Sequence, residues 1–243
     1  MTNGQNLMSR KPIIHDNGDM VANAYLAIES TLREALNTRG SASLMVSGGS
    51  SPKPLYEKLS NSDLDWSKIT ISLVDERWVD PGQTGSNEDF IRENLIQNKA
   101  SEAKFFGLKT AFSSVAAGLS DAEVRFDAVD QPFDVCVMGM GSDAHTASWF
   151  PNSKGLSKAL SLDNKNILCE VDATGAPVAG DHPNRITLTL GAVLDSHLIV
   201  LFIPGEVKRE VFDSASSKPL FEAPVQALLQ AGQKLHVFAS PKP

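Results

Sequence analysis

The stretch ASLMVSGGSSPKPLYEKL, residues 42–59, sets the class of fold. It opens with a short apolar run, Ala42–Val46, of the kind that forms a buried strand, and then enters the glycine-rich loop 47–51. Pro52 stands where the first position of a helix would be, with Ser51 before it as the N-cap. A strand, a tight loop and a helix in direct succession are the repeating unit of α/β folds.

The same alternation of helices and apolar strands continues along the chain. Apolar residues recur at helical spacing over residues 20–39, and Gly40 follows as the expected helix stop. Ser86 opens a further helix with capping-box spacing to Asp89. Residues 185–190 suit either a strand or the approach to a short helix. Other apolar runs predict strands at residues 69–74, 134–138, 167–171, 198–203 and 235–238.

Strands that are apolar along their whole length, alternating with helices, predict a mostly parallel open sheet with helices on both faces. The predicted fold class is therefore α/β, a three-layer αβα arrangement of Rossmann-like type. No repeat, low-complexity stretch or long linker divides the sequence. We expect a single domain over residues 1–243, with residues 1–12 as a flexible N-terminal segment.

The charge of the chain restricts its possible partners. The formal net charge of −7 disfavours nucleic acid and anionic membranes, because no excess of basic residues is present to neutralise phosphates. A small anionic substrate requires that a few cations gather at one site. The composition leaves the oligomeric state open.

Cysteine usage and the apolar runs favour a cytoplasmic protein without a metal centre. Cys136 and Cys169 lie in apolar runs typical of buried strands, which favours reduced core thiols, and no zinc-ligand spacing occurs. The N-terminal stretch lacks the apolar segment of a signal peptide. The longest aliphatic and aromatic run, 198–203, falls well short of the ~20 residues that span a bilayer.

Four chemically unusual segments each follow a predicted strand. They are the Ser/Gly loop 47–51, the charged run 75–77, the Gly/Asp/His segment 139–146 and the Pro-Gly-Glu turn 204–206. All strands of a parallel sheet end at the same edge, and ligands bind outside that edge. We therefore expect these segments to converge on one site.

Two of these segments admit both a structural and a functional interpretation. The loop 47–51 suits a phosphate cradle of backbone N–H groups, but it also suits an ordinary tight turn, since the Lys-Ser/Thr ending of a P-loop is missing. The charged run is either a solvated strand end or part of the ligand crevice, where Arg77 suits bidentate recognition of phosphate.

The segment 139–146 formally contains a dinucleotide-binding fingerprint. Gly139, Gly141 and Ala144 match the pattern G-x-G-x-x-G/A, but Pro151 soon interrupts the helix that this motif needs. The other interpretation centres on His145 beside Asp143, because imidazole in a ligand crevice is the commonest general base.

Arg185 and Lys208 are further candidate cations. Lys208 lies in the first turn of a predicted helix, where a cation is unfavourable on dipole grounds. An anionic ligand at that helix end would resolve the conflict, and a solvated surface lysine is the alternative.

At these motifs the sequence resembles the 6-phosphogluconolactonase family over nearly its whole length after the first dozen residues. The matching segments are LMVSGGSSPKPLYEKL (44–59), VDERWVDPGQTGSNEDFIRENL (74–95), FDVCVMGMGSDAHTASWFP (133–151) and NRITLTLGAVLDSHLIVLFIPGEVKREVF (184–212). Two alternatives fit less well. The related glucosamine-6-phosphate deaminases continue differently after the Asp-Glu pair and after the His, and sugar-phosphate sensors usually carry a DNA-binding module for which no residues are spare.

The resemblance implies hydrolysis of 6-phospho-D-glucono-1,5-lactone to 6-phosphogluconate, the second step of the oxidative pentose phosphate pathway. No metal or organic cofactor is expected, since an ester carbonyl can be attacked with general-base and electrostatic help alone. The resemblance also implies His145 as the general base, with Asp143 or Asp75 orienting it or the sugar hydroxyls. Backbone N–H groups of the turn from Gly139 to Gly141, or alternatively Arg185, would stabilise the oxyanion. The implied phosphate ligands are Gly48, Gly49, Ser50, Ser51, Arg77 and Lys208.

The sequence departs from the family pattern at Asp80-Pro81, where the family often has Pro-Pro, and at one residue of the predicted site. Ala144 occupies a position at which the family usually has glycine. A positive φ would cost an alanine about 1–2 kcal/mol. Because chains tend not to retain strain without a return, we expect that the loop has adapted and that φ at Ala144 is negative.

Overall fold

A parallel sheet forms the centre of the computed structural model, which describes residues 11–240. Within those residues the strands are β1 (Ile13–His15), β2 (Ala42–Val46), β3 (Ile69–Leu73), β4 (Asp75–Arg77), β5 (Lys104–Phe106), β6 (Val135–Met138), β7 (Leu168–Asp172), β8 (Asn184–Leu188), β9 (Leu198–Ile203) and β10 (Leu235–Ala239). The central sheet has seven of them in the order β1-β10-β9-β6-β2-β3-β5, all paired in parallel. A three-stranded antiparallel sheet, β4-β8-β7, lies beside it.

Helices flank the parallel sheet and complete a three-layer α/β fold, as the alternating pattern predicts. The first helix begins after Asp19, whose side chain accepts from the Ala22 N–H, and ends at Gly40 with φ of 80°, which confirms the predicted stop. The helices are α1 (Met20–Arg39), α2 (Lys53–Leu59), α3 (Asn87–Asn94), α4 (Val115–Arg125), α5 (Leu156–Leu160), α6 (Leu190–Asp195) and α7 (Glu206–Ala215).

The start of α2 differs from the prediction. Pro52, not Ser51, occupies the N-cap position, and no side chain caps this helix. The Ser51 hydroxyl instead accepts a hydrogen bond from Lys208 Nζ at 3.0 Å. The loop side chain is therefore directed to a residue 157 positions away rather than to its own helix.

The predicted strand at 69–74 ends early, because the chain changes sheets at Val74. The Val74 N–H donates to Val46 O in the parallel sheet, whereas its carbonyl accepts from Leu188 N in the other sheet. Asp75–Arg77 is thus a short antiparallel strand and not a solvated strand end. The runs at 167–171 and 185–190 also belong to this second sheet, and 185–190 holds both a strand and the first residue of α6.

The order of the strands places the site. From β2 the chain proceeds outward to β3 and β5, and from β6 it proceeds the other way to β9 and β10. The reversal between β2 and β6 is a topological switch point, where parallel sheets open a crevice for ligands. The four unusual segments follow β2, β3, β6 and β9, which are neighbours in the sheet.

The central strands are buried on both faces. Every residue of β2, β6 and β9 is buried, and each aliphatic side chain there contributes about 1.5–3 kcal/mol of burial free energy. None of the helices formed by residues 11–240 combines the length and apolarity needed to cross a membrane. Most of the predicted flexible segment 1–12 lies outside the described residues.

Candidate active site

A cavity of about 290 Å³ opens at the switch point and is lined by three of the four segments, 47–51, 75–77 and 139–146. The turn 204–206 does not line it, but Lys208 of the helix that follows this turn does. The cavity volume is at the lower end of the range for small-molecule sites. Asp143 does not line the wall but contacts His145, which does. The other residues predicted from sequence all line the cavity: Gly48, Gly49, Ser50, Ser51, Asp75, Arg77, Gly139, Gly141, Arg185 and Lys208.

His145 and Asp143 form a paired acid and base. His145 Nδ1 lies 2.6 Å from Asp143 Oδ1, and the His145 backbone N–H donates to the same oxygen at 3.2 Å. Partial burial opposes ionisation of Asp143, but the hydrogen bonds and charge of His145 bring the pKa of this carboxyl below its usual range. Nε2 has no hydrogen-bond partner among residues 11–240, so it is the ring nitrogen available to a ligand.

The prediction for Ala144 was wrong, because its φ is 67°. Its N–H donates to Gly141 O, its carbonyl accepts from Val225 N, and the Gly141 N–H in turn donates to His145 O. This tight turn needs a left-handed residue at 144 to bring the His145 carbonyl back to Gly141. The buried methyl group packs in the core.

These contacts also change the candidates for the oxyanion. The Gly141 N–H is already committed to His145 O, at 3.0 Å. Gly141 therefore cannot offer that group to a substrate oxygen without opening the turn, which leaves the backbone N–H groups of Gly139 and Met140 and the Arg185 side chain from the predicted set.

The Gly48-Gly49 pair is required by close packing and by backbone conformation. A Cβ on Gly48 would lie 1.9 Å from Asn87 Oδ1, and Gly49 has a φ of 90°. Asn87 also lines the cavity and donates from Nδ2 to Asp75 O at 2.9 Å. It therefore joins the glycine loop to the strand that carries Asp75 and Arg77.

Two arginines lie opposite each other on neighbouring strands of the second sheet. Arg77 and Arg185 are register partners of β4 and β8, and both line the cavity. Like charges in this arrangement repel each other, and an anion bound between them would compensate this repulsion. Arg77 Nη1 donates to Gly85 O, while its buried Nε has no partner within residues 11–240.

Arg185 and Lys208 are the other two cations that line the cavity. Arg185 donates to His182 O at 2.6 Å and to Ala179 O at 3.1 Å, and burial lowers its pKa to about 10. Burial also lowers the pKa of Lys208. Among the lining residues these two cations and Arg77 are opposed only by Asp75, so the described cavity is cationic in a chain of net charge −7.

Sequence reasoning did not assign a site role to several residues of the site, among them Asn87, Ser148, Phe150 and Val178. Ser148 donates to Asp75 Oδ2 at 2.6 Å, and the other three line the cavity. Asn87 directly follows the capping residue Ser86, so its position in a helix start at the ligand edge was the available signal. Nothing in the sequence marks Val178. In the described part of the chain no group of His, Cys, Asp or Glu is arranged to hold a metal ion.

The fold and cavity define an α/β protein with a cationic cavity at the carboxyl edge of a parallel sheet, beside a His–Asp pair. The chain belongs to the family described as glucosamine-6-phosphate isomerases/6-phosphogluconolactonase, whose model matches residues 15–237. The resemblance seen in the motifs is thereby confirmed.

Individual relatives agree with the family assignment. A 6-phosphogluconolactonase of Rhizobium meliloti (strain 1021) is 38% identical over 237 residues, which are 96% of this chain and 100% of the relative. The crystal structure of a 6-phosphogluconolactonase from Shewanella baltica OS155 superposes with a TM-score of 0.86 at 39% identity, covering 98% of this chain and 99% of that one. A putative 6-phosphogluconolactonase from Neisseria gonorrhoeae FA 1090 gives 0.82 at 32% identity, covering 94% and 99%.

Proposed function

We propose that this protein is a 6-phosphogluconolactonase that hydrolyses 6-phospho-D-glucono-1,5-lactone to 6-phosphogluconate. The observation that carries the proposal is the His145–Asp143 pair in the same cavity as three cations. A general base and an anion site together suit hydrolysis of a phosphorylated ester. The relatives named 6-phosphogluconolactonase match nearly the full length of the chain, which supports this substrate over the deaminase alternative.

We assign the substrate phosphate to the glycine loop and to the cations on either side of it. Lys208 Nζ already contacts the Ser51 hydroxyl, so both groups lie within reach of one anion. Backbone N–H groups and the hydroxyls of residues 48–51 add donors, and Arg77 lines the same cavity as a further cation. Hydrogen bonds to a charged group of this kind contribute about 1.5–3 kcal/mol each.

His145 acts as the general base for the attacking water. Asp143 holds Nδ1 and so favours the tautomer with its proton there, leaving Nε2 to accept a proton from water. The hydroxide so formed adds to the lactone carbonyl carbon, C1, and the carbonyl oxygen becomes an oxyanion. We assign this oxyanion to Arg185, whose Nη1 makes no hydrogen bond within residues 11–240.

Ring opening completes the reaction. Collapse of the tetrahedral intermediate breaks the bond between C1 and the ring oxygen, and His145 returns its proton to that leaving oxygen. The new carboxylic acid ionises, so the net reaction consumes one water and releases one proton. Asp75, held by Ser148, accepts from a sugar hydroxyl in this assignment. Water and side chains of this chain supply every step.

The cysteines support an assignment of the compartment. Both Cys136 and Cys169 are buried free thiols, as in a reducing environment. We therefore infer that the chain acts in the cytoplasm on a freely diffusing substrate.

A coupled assay with freshly generated lactone, corrected for spontaneous hydrolysis, tests the function. We expect one proton per lactone opened, without release of inorganic phosphate, and no ammonia from glucosamine 6-phosphate. His145→Ala should lower kcat by ~10²–10⁴ with a smaller change in KM, the usual magnitude for a general base. His197→Ala, an exposed histidine away from the cavity, is the matched control.

Two results would overturn these assignments separately. A wild-type protein that does not accelerate lactone hydrolysis is not a lactonase. A folded His145→Ala variant that keeps more than about half of the wild-type kcat, against the expected ~10²-fold loss, excludes His145 as the base.

A further inference from the structure

A small apolar cluster lies beside the active site, separate from the main core. Phe150, Ala173 and Ala179 form it, with Ala176 packed against it. Small clusters of this kind commonly lie beneath loops and hold them in place. Phe150 is 2% exposed and yet also lines the cavity, so its ring touches both the cluster and the site.

The Phe150 ring contacts two groups of the proposed reaction. Its centroid lies 4.5 Å from that of the His145 imidazole, with 30° between the planes. The guanidinium carbon of Arg185 lies 5.2 Å from the same centroid. Stacked rings and cations over ring faces both attract, with preferred geometries rather than free rotation.

The contact with His145 complements the contact with Asp143. The hydrogen bond between His145 Nδ1 and Asp143 Oδ1 fixes one edge of the imidazole. A single hydrogen bond still allows the ring to tilt about the line that joins these two atoms. A flat ring stacked against the imidazole opposes that motion. The direction of Nε2 therefore depends on both neighbours.

The contact with Arg185 acts together with the cluster. Ala179, which packs against Phe150, accepts from Arg185 Nη2 through its carbonyl. The same aromatic side chain thus supports the guanidinium directly and supports the segment that holds it. Phe150 links the base to the cation that we assign to the oxyanion.

We propose that Phe150 is a positioning residue of this active site, which keeps the His145 imidazole and the Arg185 guanidinium in their working orientation toward one substrate carbonyl. The proposal rests on the proposed lactonase function. A displacement of about 1 Å in such groups can cost ~10²-fold in rate, so a side chain that touches no reacting atom still affects kcat.

Phe150→Leu and Phe150→Tyr test the proposal, with Phe126→Leu as the control. Phe126 is also fully buried but packs on Phe133 in the main core, away from the cavity. We expect Phe150→Leu to lower kcat by ~10–100-fold, while KM changes by less than about threefold. Phe150→Tyr keeps the ring and should retain more of kcat. Phe126→Leu should lower Tm but leave kcat within about twofold of wild type.

The proton on His145 Nδ1 gives a readout that a loss of stability alone does not change. Its downfield ¹H NMR signal should persist in wild type and in Phe126→Leu, and it should broaden or exchange faster in folded Phe150→Leu. Wild-type kcat in Phe150→Leu, or a reduced kcat with an unchanged Nδ1 signal, would overturn the proposal. If Phe150→Leu does not fold, the test rests on Phe150→Tyr. A folded Phe150→Tyr variant whose kcat falls by the ~10–100-fold expected for Phe150→Leu would overturn the proposal. An inactive wild type would refute the lactonase function alone, since the NMR comparison still tests the positioning.

Discussion

Gly141 has almost no free space around it, and the reason is the catalytic pair that we propose. A Cβ at this position would lie 2.3 Å from His145 Nδ1 and Cε1, and 2.6 Å from Asp143 Oδ1. Its φ lies outside the left-handed region, so a side chain is excluded here by contact and not by backbone conformation.

Gly141→Ala should therefore separate catalysis from binding. We expect kcat to fall by ~10²-fold or more, because the methyl group must displace His145 or Asp143, while affinity for 6-phosphogluconate changes little. Gly191→Ala is the control, since its nearest atom, Asn164 O, is 3.8 Å away. Steady-state kinetics with product-binding calorimetry measure both quantities, and equal activity of the two variants would contradict this placement of His145.

Ala144 carries backbone strain that a matched glycine substitution can measure. Ala144→Gly and Ala122→Gly both remove a buried methyl group and both raise the entropy of the unfolded chain. Of the two alanines, Ala144 has a positive φ and Ala122 lies in the helix α4. Ala144→Gly should therefore be less destabilising than Ala122→Gly by ~1–2 kcal/mol. Denaturant unfolding of the two variants tests this, and equal losses would mean that Ala144 is unstrained.

At the scale of secondary structure, a buried carboxylate organises the start of α3. Glu76 accepts hydrogen bonds from the backbone N–H groups of Arg77, Asn87 and Glu88, each at 2.8 Å. Two of these groups belong to the first turn of the helix, where unpaired N–H groups need acceptors. Burial raises the pKa of Glu76 to about 7, against the lowering effect of these three hydrogen bonds.

This raised pKa predicts the pH dependence of stability. Between pH 4.5 and 7 the folded chain keeps a proton on Glu76 that the unfolded chain has released, so this contribution is complete below pH 4.5 and is lost as pH rises toward 7. The free-energy difference across the window is of the order of 3 kcal/mol. Glu76→Gln cannot titrate.

Chemical denaturation at several pH values tests this. The free energy of unfolding of wild type minus that of Glu76→Gln should fall as pH rises from about 4.5 to 7.5. Glu34→Gln, an exposed carboxyl of α1, should give a nearly constant difference. A Glu76→Gln difference that stays constant, or that grows with pH, would contradict the prediction.

At the scale of the whole molecule, the sheet topology concentrates positive charge in an acidic protein. The chain has a formal net charge of −7, yet Arg77, Arg185 and Lys208 line one cavity at the switch point. They come from β4, β8 and α7, so only the complete fold brings them together. Attraction of an anionic substrate must therefore be local and short-ranged, since the total field of the protein opposes it.

Arg77→Ala and Lys208→Ala should each weaken binding of the phosphate by ~1.5–3 kcal/mol. Preference for 6-phosphogluconolactone over unphosphorylated gluconolactone should collapse in both variants. Lys104→Ala, which removes an exposed cation of β5, should leave that preference unchanged. Values of kcat/KM for the two lactones provide the test, and a wild-type preference in both site variants would place the phosphate elsewhere.

The sequence by itself determined the local elements and the edge at which the site forms. The helical spacing over residues 20–39, the glycine at position 40 and the buried strands at 42–46 and 198–203 all reappear in the structure. Apolar periodicity and caps report on neighbouring residues, and these contacts do not depend on the rest of the fold. The convergence of the segments after β2, β3 and β6, with Lys208 from the helix after β9, also followed, since parallel strands share one carboxyl edge.

Only the tertiary structure decided how those loops meet. Asp75–Arg77 pairs with a strand more than a hundred residues away, and this register sets Arg77 beside Arg185. The turn at Ala144 is joined to the rest of the fold by a hydrogen bond from the Val225 N–H, and the roles of Asn87 and Phe150 depend on contacts with Gly48, His145 and Arg185. These contacts arise from packing between segments that are distant in the sequence. The type of a residue indicates whether it is buried, but it does not indicate which residue it contacts.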